Sequence, residues 1–388
     1  MVTSGGNLDS VRRGNLSTAL EIVHRSGGAT RSRITAETGL NRSTVAALVG
    51  ELVELELVLE TEPEATRRVG RPSPLVVPHP APVIIAVNPE VDAVTIGVVG
   101  LGARVEHRVR HEVDHLVTPA ELTQIVAHGV DGMRSTVLRG RRVVAAGLAI
   151  PALVSAEDGL VRWAPHLLWR DEPIGALIAE TLGVPASVGN DASLGAQAEH
   201  LFGAGRGVDD LIYLNGGASG IGGGVILAGR AIGGVGGYAG EFGQNRPGLE
   251  AAADRVTAQG TLEDEVNRAR LLEVLGLASA DEPELARRLL ASTDERVLAE
   301  VARQRRVLSV ALSNAVNVLN PELIVLGGFL ATLHEADPEA LRGLVASQAL
   351  APAVEGVRIR PAALGDDRLL IGAAEIAFAA LLAAPSGA

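Results

Sequence analysis

From Val83 onward the chain alternates short apolar runs with glycines and with stretches of helical spacing, and this alternation leaves few folds open to it. The runs cover residues 83–87, 94–99, 143–150, 211–214, 224–227 and 323–326. Strand and helix in turn over such a length build an α/β domain whose sheets are covered on both faces. With 388 residues, 47% hydrophobic and 21% charged, the chain can bury the cores of two or three domains and is not disordered. Sixteen of its 46 glycines fall between Gly203 and Gly243. Such density serves tight turns, backbone held close to a ligand, or a mobile surface.

Two residue types are missing. Without cysteine there is no disulfide and no thiolate metal site; without lysine there is no P-loop lysine and no Schiff base. All 34 positive side chains are Arg. No run approaches the roughly 18 apolar residues that span a bilayer, and residues 1–13 lack a signal peptide's apolar core, so a cytoplasmic address is expected. A net charge of −12 argues against nucleic acid only if it is evenly spread. It is not. Residues 1–80 carry 9 Arg and 9 acidic residues, so everything after them carries the whole −12. Pro78, Pro80 and Pro82 mark the boundary and read as a linker. Between Val11 and Leu48 the balance is +4, whereas residues 51–64 hold six Glu and no Arg.

Periodicity gives that positive charge a place. Leu16, Leu20 and Val23 share one face of a helix over residues 15–25, closed by Gly27-Gly28. Thr30 can cap a second short helix that buries Ile34 and stops at Gly39. Asn41 caps a third, with Val45, Leu48, Leu52 and Leu55 inward. Arg42, Ser43, Thr44 and Ala47 are then outward at its amino-terminal end, which is the arrangement of a helix-turn-helix. Residues 57–60 and 75–77 flank a polar stretch and read as a two-stranded wing, whose arginines suit an AT-rich minor groove. The expected DNA contacts are Arg31, Arg42, Ser43, Thr44, Arg68 and Arg71. The competing reading of residues 1–80 is a helical dimerisation module without DNA.

An ordered string of motifs runs through the remainder. Gly147 to Pro151 is followed by Ala164-Pro165-His166-Leu167, by Asn190-Asp191-Ala192, and by Phe202-Gly203-Ala204-Gly205-Arg206-Gly207. Then come Gly217-Ala218-Ser219-Gly220-Ile221-Gly222, Gly240-Glu241-Phe242-Gly243-Gln244, and Asn320-Pro321-Glu322 through Gly327-Gly328. In this order the string resembles the ROK family of repressors, open reading frames and sugar kinases. The resemblance implies the actin-like or hexokinase-like ATPase fold, two α/β lobes preceded in repressor members by a winged helix-turn-helix. The expected division is a DNA-binding domain at 1–80 and a kinase-like domain at 81–388. Its lobes would cover about 81–190 and 191–388, with the C-terminal helix a candidate to return to lobe one.

In a kinase of this family Asp191 would be the base that takes the sugar's proton. Asn190 and Asp191 together also offer donors and acceptors to adjacent hydroxyls, so Asp191 alone does not separate kinase from sensor. An Asn-Asp turn can equally cap the helix that starts at Ala192. By resemblance Glu241, Glu250 and His166 join the sugar site; Glu250 also reads as a carboxylate at a helix amino terminus. Ser219, Gly220, Gly327 and Gly328 are the remnant of a nucleotide site. The family's kinases carry an Asp-x-Gly-Gly-Thr turn after the first strand, where this chain has residues 87–92 without glycine and with Pro89, which offers no N–H to phosphate. The family's zinc, held by one His and three Cys, meets Gln244 and no cysteine. The expectation is therefore a repressor with no cofactor, zinc or ATP–Mg chemistry, taking operator DNA and a sugar effector as partners and acting as a homodimer or homotetramer. An ATP-dependent sugar kinase that keeps a DNA-binding head is the alternative.

Overall fold

A computed structural model of the chain describes residues 5–61, 74–248, 254–257 and 260–387. The first helix, α1 (Gly5–Ser26), buries Leu16, Ala19, Leu20 and Val23. It begins well before residue 15, because no proline interrupts residues 5–15 and residues 10–13 stay in solvent. After the short strand β1 (Ala29–Thr30), Thr30 Oγ1 accepts from the Arg33 N–H and opens α2 (Arg31–Thr38), which Gly39 closes at φ 69°. Asn41 Oδ1 accepts from the Thr44 N–H at 2.9 Å to open α3 (Arg42–Glu54). This helix buries Val45, Leu48, Val49 and Leu52, while Leu55 is only half-buried at its end. Strands β2 (Val58–Thr61) and β3 (Leu75–Pro78) pair antiparallel, and β3 also pairs with β1, giving the wing sheet β1-β3-β2.

The proline cluster after the wing is not a loose linker. Only three residues join β3 to β4 (Pro82–Pro89), and the His79 N–H donates to Leu57 O while Arg141 holds Pro80 O at 2.7 Å. Proline's fixed φ and these bonds hold the connection rigid. One apolar cluster runs through it, from Leu16, Leu20 and Val23 of the head to Ile84, Val99, Leu101 and Phe378 of the body.

The first body sheet contains β4, β5 (Ala93–Gly100), β6 (Arg104–Glu112), β7 (Arg142–Ile150) and β11 (Ala186–Asn190), in the order β11-β7-β4-β5-β6. Every residue of β4 is buried, as a strand covered on both faces requires. Helices α4 (Pro119–Arg134) and α5 (Ile174–Leu182) share its core on one face. A small side sheet is made by β8 (Leu153–Val154), β9 (Val161–Ala164) and β10 (Trp169–Glu172). Helix α6 (Asp191–Phe202) leaves the end of β11.

The second body sheet has the order β14-β13-β12-β15-β16, from β12 (Leu211–Gly217), β13 (Gly220–Leu227), β14 (Arg230–Ala231), β15 (Leu323–Gly328) and β16 (Arg358–Pro361). Around it lie α7 (Leu262–Glu265), α8 (Arg268–Leu275), α9 (Glu282–Ala291), α10 (Glu295–Leu319), α11 (Phe329–Glu335), α12 (Pro338–Gln348) and α13 (Ala351–Val354). The last helix, α14 (Arg368–Ala383), crosses back and seats on the first sheet and on α6. Glycine makes that seat possible. A Cβ on Gly147 of β7 would stand 1.8 Å from Ala373 O, and one on Gly372 would stand 2.4 Å from Leu194 O. Among the described residues no helix is long and apolar enough to cross a membrane.

Gly372→Ala should therefore push α14 away from α6 and destabilise the protein by about 1–3 kcal/mol, as overpacking of a tight core does. Urea unfolding checks this, and a midpoint unchanged from wild type would show that the seat is softer than described.

Candidate functional site

Two places in the fold carry the residues singled out by the sequence: the cleft where β11 meets α6, and the outer face of α3. In the cleft, Asn190 is mostly committed to structure. Its Oδ1 accepts from the Ser193 N–H at 2.9 Å as the cap of α6, and its Nδ2 donates to Ala152 O at 3.0 Å. One amide hydrogen and one lone pair are left for a ligand. Asp191 follows as the first helical residue, half-buried, with its carboxylate accepting the Ala192 N–H at 2.8 Å. Burial pushes its pKa up to about 6; the Ala192 N–H opposes the rise, the charge of Glu90 adds to it, and Arg368 opposes it. Glu241 lies within electrostatic reach. Its pKa is also raised, by partial burial and then by the charges of Asp191 and Glu263. Asp191 and Glu241 thus interact through their charges, Glu241 itself being exposed. His166 stands apart, exposed on the turn between β9 and β10 with no hydrogen bond or ion pair to another described residue. Glu250 lies outside the described residues.

At the β4–β5 turn, the β12–β13 turn and the end of β15, where the resemblance leads one to expect a nucleotide, groups of this chain's own stand close. Near the end of β4 Asn88 is buried and donates to Ala149 O at 2.9 Å, while in the β4–β5 turn Glu90 and Asp92 both pair with Arg110, at 2.8 and 3.2 Å. Asp92 is thereby a surface ion-pair partner. In the β12–β13 turn Gly217 pairs with Gly220, leaving Ala218 and Ser219 at the tip, and Gly220 takes a φ of 125° that favours glycine. The first N–H beyond the turn, that of Ile221, is already bonded to Glu263 Oε2 at 3.1 Å. At the end of β15, Tyr213 Oη and Asn215 Oδ1 lie 2.8 and 2.6 Å from where a Cβ on Gly327 would be. Glu282 Oε1 stands 3.2 Å from the corresponding position of Gly328 and accepts from Arg368 Nη2 at 3.2 Å.

Glu263, Glu282, Arg368 and Glu90 were not among the residues expected from the sequence. Only Glu263 had a local signal, the capping box between Thr261 and Asp264 that starts α7. The family's zinc does not fit here. Gln244 stands at the His position and donates through Nε2 to Glu263 Oε1 at 2.6 Å, and the chain has no thiolate.

On the head, Arg42 and Ser43 are exposed and Thr44 is half-buried at the start of α3. Ser43 donates to Asn41 Oδ1 at 2.7 Å, so its hydroxyl is pre-set beside the cap. Arg31 is less free than expected. Its Nε and Nη2 both reach Glu60 of β2 at 2.5 Å, tying α2 to the wing and leaving Nη1 for a phosphate. Arg68 and Arg71 lie outside the described residues.

Comparison with known proteins agrees with this architecture. The chain is similar to the xylose repressor of Caldicellulosiruptor bescii, 24% identical over 92% of this chain and 93% of that protein. It is similar also to the xylose repressor of Bacillus subtilis strain 168, 25% identical over 94% and 95%. A glucokinase from Streptomyces coelicolor is 31% identical over 47% of this chain and 56% of its own length. Among solved structures, a ROK family transcriptional regulator, homolog of the E. coli MLC protein, superposes with a TM-score of 0.76 at 20% identity, covering 97% of this chain and 98% of that one. A ROK glucokinase from Streptomyces griseus in complex with glucose and AMPPNP gives 0.60 at 22% identity, covering 76% and 99%. The profile of the ROK family matches residues 84–380, and the chain is a member of that family.

Proposed function

We propose that this protein is a DNA-binding transcriptional repressor that senses a sugar through a kinase-type cleft without phosphoryl transfer. The observation that carries this reading is the carboxylate of Glu263 on the Ile221 N–H. A backbone donor at a phosphate-binding turn stabilises the transferring phosphoryl only if it is free and its surroundings are electropositive. Here an anion already holds it. The first phosphate turn offers Pro89 and an Arg110 already shared by two acids, and Arg368 is engaged with Glu282. A triphosphate and its magnesium would have to displace these groups.

The same acids suit hydroxyls. Asp191 and Glu241 present acceptors in a cleft whose negative charge rejects phosphate esters, so the effector is an uncharged sugar. The xylose-repressor relatives align along the head as well as the body, which supports a regulator and makes D-xylose the first sugar to try. On the DNA side, Arg42, Ser43 and Thr44 would meet base edges or phosphates, and a homodimer or homotetramer would set two heads against two half-sites. One observation favours the kinase alternative: a carboxyl with pKa about 6 is poised as a general base near neutral pH.

Selection from a random duplex pool should yield one preferred sequence, and its affinity should fall steeply with salt because Arg–phosphate contacts release counterions. Equal binding to every duplex at all salt concentrations overturns the reading. Thermal shift with D-xylose, D-glucose and N-acetyl-D-glucosamine identifies the effector, and turnover in a coupled ADP assay that Asp191→Asn abolishes would install the kinase instead.

Protonation of Asp191 sets a second expectation. Its folded pKa lies above the ordinary carboxylate value, so ionisation costs native stability above pH 6 and costs nothing below about pH 4. Asp191→Asn should raise stability at pH 7.5 by at most about 3 kcal/mol, an advantage that vanishes by pH 4. Sugar affinity of the wild type should rise about tenfold between pH 5 and pH 7, as the acceptor form becomes dominant. Calorimetry over that range checks it; a flat profile removes Asp191 from the sugar contacts.

A further inference from the structure

Helices α6 and α14 both begin at the cleft and both reach the same side chain of the head. Asp191 starts α6; Phe202 ends it, with its ring edge-on to the His24 imidazole at 5.4 Å between centroids and 88° between planes. Arg368 starts α14 and ties it to Glu282 of the second lobe. Two turns along, Glu375 accepts from His24 Nε2, with its two oxygens at 2.9 and 3.1 Å, and Phe378 meets the imidazole edge-on at 5.8 Å. A third element closes the ring. Gly102, in the β5–β6 turn, donates its N–H to His24 Nδ1 at 2.9 Å. Since Nδ1 accepts, the proton of the neutral ring sits on Nε2 and points at Glu375.

His24 is 1% exposed and lies two residues before the end of α1. That helix shares its buried face with α3 in one apolar cluster, and Arg12 of α1 pairs with Glu51 of α3 at 2.7 Å. Whatever turns α1 therefore turns the helix that presents Arg42. A groove between the head and the body, lined by Arg25, Arg33 and Glu37 on one side and Leu201 and Arg206 on the other, lies beside this contact. Head and body are thus not packed against each other on that flank.

We infer that His24 is the positioning residue through which occupation of the cleft reaches the DNA-reading helix. The inference rests on the repressor reading above. A sugar that engages Asp191 and draws the second lobe inward loads α6 at its first residue and α14 through Arg368. The two helices touch at the Gly372–Leu194 contact and shift together. Both then act on a ring held by two hydrogen bonds and two aromatic edges, so α1 follows. The effector supplies the energy by binding one arrangement of lobes more tightly than the other.

The test reads the ratio of operator affinities without and with the sugar that raises the melting temperature, using the duplex recovered by selection and the full chain. His24→Phe combined with Glu375→Leu replaces the polar pair by apolar groups of similar size, which buried pairs often tolerate. Wild type should show a ratio of about 5–150, the usual span of allosteric coupling. The double variant should bind both ligands with a ratio within about twofold of unity, whereas Glu375→Gln, which still accepts from Nε2, should keep most of the response. A structural role alone would lower both affinities together and leave the ratio. Phe202→Leu tests the α6 arm separately and should reduce the ratio. Wild-type ratios in both the double variant and Phe202→Leu, with sugar binding intact, overturn the inference alone. If no sugar on the panel binds, or a bound sugar leaves operator affinity unchanged, the repressor reading falls and this inference with it.

Discussion

The seating of the C-terminal helix on the first sheet is the contact on which the rest of the structure depends. It brings residues from the end of the chain against β4 and β7, and it lets α6 lie between the two body sheets. Only backbone without side chains allows that approach, since Gly147 and Gly372 face the carbonyls of Ala373 and Leu194. The cleft at the start of α6 and the His24 contact at its far end both follow from this one packing arrangement. A helix of 16 residues is about 24 Å long, so α14 can serve both ends at once.

Local electrostatics set the character of the cleft. A sugar kinase must gather positive character where phosphates travel. In this chain Asp191 feels the charge of Glu90, and Glu241 feels those of Asp191 and Glu263, with Asp191 the group most clearly lifted by burial. The few cations nearby, Arg110 and Arg368, are already engaged. Carboxylates brought near one another are costly unless donors meet them; Glu90 has Arg110, and Glu263 has the Ile221 N–H and Gln244, which leaves Asp191 and Glu241 most open to donors from a ligand. Sugar hydroxyls are such donors, which makes this charge arrangement consistent with sensing and adverse to ATP.

Much of the architecture was legible in the sequence because its signals are local. Thr30, Gly39 and Asn41 act within three or four residues of themselves, and each caps or stops its helix where the pattern placed it. The apolar runs at 83–87, 143–150 and 323–326 became strands for the same reason. The site was less legible. Glu263 and Ile221 are 42 positions apart, Glu282 and Arg368 are 86 apart, and His24 and Glu375 are 351 apart, so nothing in the neighbourhood of either partner announces the other. The proline cluster gave the place of the connection and not its character. Prolines punctuate loose linkers and tight connections alike, and only the bonds to Leu57 and Arg141 decide between them.

That tight connection bears on how a chain of this kind can be rebuilt. Head and body share a single apolar cluster in which Leu20 and Val23 belong with Leu101 and Phe378. Cutting the chain at residue 80 would therefore divide one hydrophobic core and leave both halves with bare apolar surface. The head is thus no interchangeable cartridge: under the repressor reading, substitutions meant to change the operator while keeping the sensor belong on the outer face of α3.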